Sequence, residues 1–393
     1  MTTIILFGIT GDLAKKKLIP ALAELYSDSI GLGRGFQFIG FGRKAFTPEE
    51  FDAFITECSK AFFDRRPDVD LSVANQFASK WAYVISELNE ADGYAQLAAA
   101  VGHDSDILAY ISLPPQFHMD VVNGLSGAGI VSQKDESRGT KSAKVVFEKP
   151  FGLDAFHARD SWARIGSLMP SEDVYLVDHY GAKQPIVDFE RIGDTGAFAQ
   201  MRAAGLIQGI RSALVEKKDA NGRGSFYDSV GALKDVGQNH VLRMLTSGIR
   251  AIASDSQERA DIIRSLNPLS VELSQYAGFA SEPGVDPETK TETFFRVRDS
   301  FEGIDIELVA GKSASEDDNS LTVFYTDGKS LRIPVNAPAT KEAYVTVFER
   351  ALEGDRSVFA DIEEVLASWE YIAKVKRLAE GSEVQIYEKG AAL

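Results

Sequence analysis

The sequence predicts an α/β fold in two parts: a doubly wound domain over residues 1–180, then an α+β domain over 181–393 with a mostly antiparallel sheet. Three observations predict it. A β-branched apolar run beginning almost at residue 1 leads through glycines into a helical pattern. Short apolar runs then alternate with helical patterns as far as Val177, the rhythm of a parallel sheet with crossover helices. From Thr293 onward, strand-like runs follow one another with turn signals between them, as in an antiparallel sheet.

The opening run is Thr2 to Phe7, and Gly8-Ile9-Thr10-Gly11-Asp12-Leu13-Ala14 follows it. Leu18, Leu22, Leu25 and Tyr26 then recur at helical spacing. Strand, glycine turn and helix form the entry to a nucleotide-binding βαβ unit, in which backbone N–H groups meet a pyrophosphate at the helix N-terminus. Two of the usual three glycines are present. Phe36 to Gly40 reads as the second strand and runs into Phe41-Gly42-Arg43-Lys44. In a dinucleotide fold this end meets the adenosine ribose; an acidic residue would suit NAD, whereas Arg43 suits a 2′-phosphate, so the expected cofactor is NADP before NAD.

Residues 48–64 and 90–101 read as helices with a strand near 80–86 between them. Ile107 to Leu113 is a nearly continuous apolar run, as a buried parallel strand should be, and Pro114-Pro115 stops it. Phe117 to Leu125 reads as a helix. Lys144 to Glu148 is another buried strand, ending in Lys149-Pro150-Phe151-Gly152, a rigid turn that can hold a cis peptide. Val174 to Val177 closes the series, and Asp178-His179-Tyr180-Gly181-Ala182-Lys183 follows. Ligands of open α/β sheets collect at such strand ends. Lys149 and the 178–183 cluster therefore stand where a ligand would be met, although the cluster alone would equally suit a solvated loop.

Past residue 190, Leu206 to Glu216 alternates at period two, as a strand with one buried face does, and Lys217 to Ser225 is a polar loop. Asp235-Val236-Gly237-Gln238-Asn239-His240 places a carboxylate, two carboxamides and one of five histidines together. It opens a helical pattern with an apolar stripe at Leu242, Leu245, Ile249 and Ile252. His240 lies off that stripe beside Gly237, Met244 and Gly248, a face with little bulk that a ligand or backbone could approach. An unperturbed histidine titrates near neutrality, in the range of a general base. Residues 256–266 read as helical; 293–297, 304–309, 321–325 and 330–335 read as strands with turns at Glu302-Gly303 and Asp327-Gly328; 343–352 and 362–378 read as helices.

Composition excludes several classes. The net charge of −16 makes sequence-independent nucleic-acid binding a poor fit. Cys58 is the one cysteine, so no intrachain disulfide or thiolate metal cluster forms, which suits a reducing cytoplasm. The first apolar run ends at Gly8, too short for a secretory signal or a membrane span. The expectation is a cytoplasmic protein without membrane or nucleic-acid partners.

Taken together, the motifs resemble the glucose-6-phosphate dehydrogenase family. The resemblance rests on Gly8 to Lys17, Tyr110-Ile111-Ser112-Leu113-Pro114-Pro115, Glu148-Lys149-Pro150-Phe151-Gly152 and Asp178-His179-Tyr180. It continues through Gly222-Arg223-Gly224, Phe226-Tyr227-Asp228, the Asp235–His240 hexamer, Val309-Ala310-Gly311-Lys312 and the closing helices with Ala343-Tyr344, Phe359 and Trp369. These run in family order over nearly the whole chain.

The resemblance implies a Rossmann-type N-terminal domain and an oxidoreductase that turns a hexose 6-phosphate, most simply glucose 6-phosphate, into its lactone with no metal. It implies that His240 is the base and Asp178 its partner; that His179, Tyr180 and Lys183 bind the phosphate; and that Glu216, Asp235 and Lys312 bind sugar hydroxyls. Lys149 would lie between cofactor and sugar. Gly8, Thr10, Gly11, Asp12, Leu13, Lys17 and Tyr110 would surround the dinucleotide, with Arg43 at the 2′-phosphate. A homodimer or homotetramer is implied as well.

The chain departs from the family at Gly181-Ala182 before Lys183, at Gln184 after it, and at Arg223-Gly224-Ser225-Phe226; it is also shorter than typical members. Those departures leave open a dehydrogenase of an amino or otherwise modified hexose phosphate. A non-catalytic NADP- or sugar-phosphate-binding regulator fits less well, because the base and its partners are all retained. An oxidoreductase of the inositol or glucose–fructose type fits the hexamer poorly.

Overall fold

The structure, a computed structural model, describes residues 1–30, 35–101, 105–133, 143–220, 222–252, 258–337 and 341–393. The chain forms two compact units. The first comprises Met1–Val177 with Lys341–Ala360, and the second Asp178–Thr340 with Asp361–Leu393.

The first unit is built on a six-stranded, all-parallel sheet. Its strands are β1 (Thr2–Phe7), β2 (Phe36–Gly42), β3 (Trp81–Ile85), β4 (Asp106–Ile111), β5 (Ala143–Phe147) and β6 (Val174–Leu176), in the order β3-β2-β1-β4-β5-β6. The order reverses between β1 and β4, the switch point where such sheets bind dinucleotides. The helices expected over 48–64, 90–101 and 117–125 are Pro48–Phe63, Ala91–Val101 and His118–Gly127. Thr47 caps the first of these, accepting from Glu50 N–H while the Glu50 carboxylate accepts from Thr47 N–H. Ile4, Ile5, Leu6, Phe7, Leu108, Ala109 and Tyr110 are wholly buried, as central strands covered on both faces require.

Residues 341–360 correct the sequence reading, which set them in 181–393. Their helix, Ala343–Glu353, belongs to the first unit. It packs on the helix Ile19–Ser29, and Phe348 lies against Tyr110 with ring centroids 5.2 Å apart. Lys144 Nζ donates to the carbonyls of Ala351 and Leu352 at 2.7 and 2.8 Å, binding the negative end of the helix.

The second unit is built on a seven-stranded sheet of β7 (Ile207–Val215), β8 (Ser270–Tyr276), β9 (Phe294–Phe301), β10 (Ile304–Gly311), β11 (Asp318–Tyr325), β12 (Ser330–Pro334) and β13 (Gln385–Tyr387). The order is β12-β11-β7-β10-β9-β8-β13. β10 with β7 and β13 with β8 are parallel, and the other neighbours are antiparallel, so the sheet is mixed but mostly antiparallel as expected. The Glu302-Gly303 turn has positive φ at both residues, +47° and +82°, the geometry of a tight hairpin. The helix expected over 256–266 runs Arg259–Ser265; residues 256 and 257 lie outside the described residues.

One element differs in kind. Residues Leu233–Val241 form a π-helix that passes into the α-helix Leu242–Ile252. Leu242, Leu245, Ile249 and Ile252 are buried as the stripe predicted, but so are Arg243, Met244, Thr246, Ser247 and Gly248. The face around His240 is thus not open to a ligand along its length. The side chain that Gly237 lacks would meet Phe295 at 3.0 Å, and that of Gly248 would meet Leu321 at 3.1 Å, so both glycines serve core packing. The angular argument failed because a π-helix advances by fewer degrees per residue than the 100° of an α-helix.

In the first unit His118 is buried, its Nε2 3.0 Å from Leu113 O and its ring 5.0 Å from that of Phe147. Burial pushes its imidazole down to about 4. The unfolded chain titrates near 6.5, so this histidine contributes stability that is fully present above pH 6.5 and lost as the pH falls to about 4. The loss is about 3 kcal/mol. Urea unfolding across that window should show the decline, and His118→Gln should flatten it. Parallel curves for the two proteins would mean that the imidazole is not held neutral.

Candidate active site

The site in the second unit starts from the way its helix begins. Gly231 has φ +72°, and a Cβ there would meet Glu292 Oε1 at 2.5 Å. This close approach lets Glu292 Oε1 accept the Leu233 N–H at 3.0 Å and Glu292 O accept the Ala232 N–H at 3.1 Å. A buried carboxylate thereby holds the positive end of the π-helix. At the other end Ser212 Oγ, on β7, donates to Val241 O at 2.8 Å where π passes into α. His240 is fixed between these two ties.

His240 Nδ1 lies 2.6 Å from Asp178 Oδ1, with 4% and 5% of the two residues exposed. Asp178 ends the extended chain after β6, and the same Oδ1 accepts Tyr180 N–H at 3.0 Å. Burial pushes the Asp178 carboxyl up, but the neighbouring His240, its hydrogen bond, and the charges of His179 and Arg243 outweigh burial and hold it well below the usual carboxylate range. Asp178 is therefore ionised and accepts the hydrogen bond, so Nδ1 of His240 carries a proton and Nε2 is the nitrogen at which the ring gains or loses one.

The other residues of the cluster surround this pair. The Tyr180 ring stacks on the His240 imidazole at 4.2 Å and 22°, and the His179 ring meets it edge-on at 4.5 Å. Lys183 Nζ lies 3.9 Å from the Tyr180 ring centroid and donates to Asn336 Oδ1. Lys312 Nζ, past the end of β10, donates to Glu216 Oε2 at 2.5 Å, past the end of β7, and lies 5.3 Å from the Tyr227 ring centroid. Burial, then Glu216, Asp178 and Asp235, push the Tyr180 phenol up, so the three carboxylates act on one hydroxyl. Asp178, His179, Tyr180, Lys183, Glu216, Asp235, His240 and Lys312 thus form one neighbourhood. It holds an imidazole paired with a buried carboxylate, two ammonium groups and two further carboxylates. Asp178, His179 and His240 also bring one potential ligand atom each within 4.8 Å of the others.

Asn336 was missed by sequence reasoning. It follows β12 in a stretch without motif or period, and nothing in its local sequence ties it to Lys183.

The first unit carries the residues expected for a cofactor. Gly8 has φ +77°, and a Cβ there would lie 2.4 Å from Ser112 O, so only glycine lets the β1 and β4 ends approach this closely. Gly11 N–H closes the turn on Gly8 O at 2.9 Å, and helix begins at Asp12, with Leu13 at its second position. Thr10 is half-buried in the turn. A short π segment, Ala14–Leu18, carries Lys17, whose Nζ lies 3.5 Å from Glu342. Arg43 stands exposed just past β2, in a run without a carboxylate from Phe41 to Thr47. Lys149 is half-buried after β5, and its bond to Pro150 is cis.

Tyr110 turns its side chain inward. Its side chain is fully buried and donates to Glu148 Oε2 at 2.5 Å, with Tyr344 OH 3.4 Å from Oε1. It can meet a cofactor only through its backbone.

Family models match both parts of the chain: "Glucose-6-phosphate dehydrogenase, NAD binding domain" over residues 5–187, and "Glucose-6-phosphate dehydrogenase, C-terminal domain" over 196–332. Glucose-6-phosphate 1-dehydrogenase 1 of Mycobacterium bovis is 28% identical over 328 residues, which cover 79% of this chain and 66% of that protein. The chain therefore spans just under two thirds of that relative. Glucose-6-phosphate 1-dehydrogenase of Borreliella burgdorferi is 25% identical, with 95% of this chain and 91% of that protein covered. The crystal structure of glucose-6-phosphate 1-dehydrogenase from Mycobacterium avium superposes with a TM-score of 0.82 at 25% identity, covering 99% of this chain and 94% of that one.

The tautomer can be read directly. Nitrogen-15 NMR above the titration midpoint of His240 should show the neutral ring protonated at Nδ1, with a downfield Nδ1–H signal that Asp178→Asn removes. A neutral ring with its proton on Nε2 would mean that Asp178 does not orient it.

Proposed function

Because the chain belongs to the glucose-6-phosphate dehydrogenase family, we propose that it is an NADP-preferring oxidoreductase that oxidises C1 of a hexose 6-phosphate, most simply glucose 6-phosphate, to the 6-phospho-lactone. The observation that carries this reading is the buried 2.6 Å contact of His240 Nδ1 with Asp178. It leaves Nε2 to take the proton of the C1 hydroxyl. The bound nicotinamide supplies the hydride acceptor. As the imidazole becomes positive, ionised Asp178 stabilises it, so the proton transfer is easiest when the hydride leaves.

In this reading His179, Tyr180 and Lys183 hold the 6-phosphate. Glu216, Asp235 and Lys312 hold sugar hydroxyls, with the Lys312–Glu216 pair offering a donor and an acceptor together. Lys149 contacts both cofactor and sugar. The dinucleotide lies along Gly8, Thr10, Gly11, Asp12, Leu13 and Lys17 and the Tyr110 backbone, with its 2′-phosphate on Arg43. The assembly in this reading is a homodimer or homotetramer.

The test is a panel of sugar phosphates with NADP and with NAD, followed at the absorbance of the reduced nicotinamide. Glucose 6-phosphate with NADP should give the highest kcat/KM; a flat trace for every phosphosugar would sink the proposal. His240→Asn should lower kcat by roughly 10²–10⁴-fold with NADP affinity unchanged; turnover within a few-fold of wild type would remove the base assignment. Arg43→Ala should weaken NADP far more than NAD, and an equal loss for both would remove the 2′-phosphate argument.

A further inference from the structure

Beside the dyad the second unit buries a cluster of charge. Arg243 lies three residues past His240 and is 2% exposed. Its Nη1 reaches both Glu364 oxygens, at 2.8 and 3.0 Å. Glu364 is itself fixed in the first turn of the helix Ile362–Leu378, where its N–H is held by the capping Asp361 carboxylate at 2.7 Å. Arg259 Nη2 donates to Glu190 Oε1 at 2.5 Å. The helix Leu242–Ile252 packs against the His179–Ala182 turn, the helix Gln184–Gly193 and the helix Arg259–Ser265, which brings these charges into one interior with Asp178. Burial disfavours the Arg243 charge, but Glu364, Glu190 and Asp178 more than compensate and hold it firmly protonated.

The charge count has a direction. Asp178, Glu190 and Glu364 are negative and Arg243 and Arg259 positive, which leaves one negative charge over. A proton on His240 brings the cluster to neutrality. Net charge in a low-dielectric interior is costly, so the cluster draws a proton to His240, and each member shifts that affinity by its own sign.

We propose that Arg243, held in place by Glu364, is a positioning residue that sets the proton affinity of His240 by partly neutralising Asp178. This rests on His240 being the base. The groups that bear on His240 are Asp178, His179 and Tyr180 from the 178–182 segment, Lys183 past it, Glu216 and Lys312 from the strand ends, and Asp235 and Arg243 on its own helix. Glu190, Arg259 and Glu364 act from the three neighbouring helices.

Removing the Arg243 charge leaves the dyad more negative, and His240 keeps its proton to higher pH. Removing the Glu364 charge leaves Arg243 uncompensated, because a guanidinium does not surrender its proton, and His240 loses its proton at lower pH. A purely structural role would not give shifts of opposite sign.

The experiment is an NMR titration of His240 in the full chain, run beside the pH profile of kcat/KM. Glu364→Gln should move the His240 midpoint down by roughly one pH unit, and Arg243→Gln should move it up by a similar amount. The double variant should return to within a few tenths of a unit of wild type. Glu190→Gln, at a less buried position, should move it down by less, and it tests the proposal even if the other single variants fail to fold. Shifts in one direction for Arg243→Gln and Glu364→Gln, or a Glu190→Gln midpoint that stays put or rises, would overturn the proposal. The titration needs no turnover. Opposite shifts in a protein that oxidises no sugar phosphate would keep the charge coupling and remove the enzymatic reading.

Discussion

The site depends on one buried contact, the 2.6 Å hydrogen bond between His240 and Asp178. A carboxylate this deep in protein is costly unless it is paired and hydrogen-bonded. Asp178 meets both conditions, accepting from Tyr180 N–H as well as from the imidazole. The surrounding structure keeps the pair in register: the Glu292 carboxylate fixes where the π-helix starts, Ser212 ties down its end, and the Tyr180 ring lies flat on the imidazole. Each tie restricts a different freedom of the histidine: its place along the helix axis, the carbonyl beside it, and the plane of its ring.

The same economy of position governs the first unit. Its six strands run parallel in the order that opens a crevice between β1 and β4, and the residues with chemistry to offer stand where strands give way to turns. Gly8 follows β1, Arg43 follows β2 and Lys149 follows β5. The Gly8 contact with Ser112 O makes plain why that position takes no side chain.

Much of this was legible in the sequence, and the failures have physical causes. Mostly apolar runs located β1, β2, β4 and β5 because strands buried on both faces carry few polar positions to blur them. The short edge strand β13, with two of its three residues exposed, carries no such signal and was missed. The hexamer and the 178–183 cluster stood out as dense polar groups, but that they meet follows from tertiary packing and from no spacing in the chain. The Tyr110 hydroxyl serves the buried Glu148, a partner that an apolar strand gives no sign of. Arg243 sat unremarked inside an apolar helical pattern, where its partner, Glu364, is more than a hundred residues distant.

The return of residues 341–360 to the first unit bears on how the protein is made. A nascent chain emerging from a ribosome can complete that unit only after residue 360 has appeared, by which time residues 178–340 of the second unit have already been synthesised. Folding in strict amino-to-carboxyl order, one finished module after another, is closed to this chain. The surface meant for Tyr344 and Phe348 stays uncovered while residues 178–340 of the other unit are synthesised.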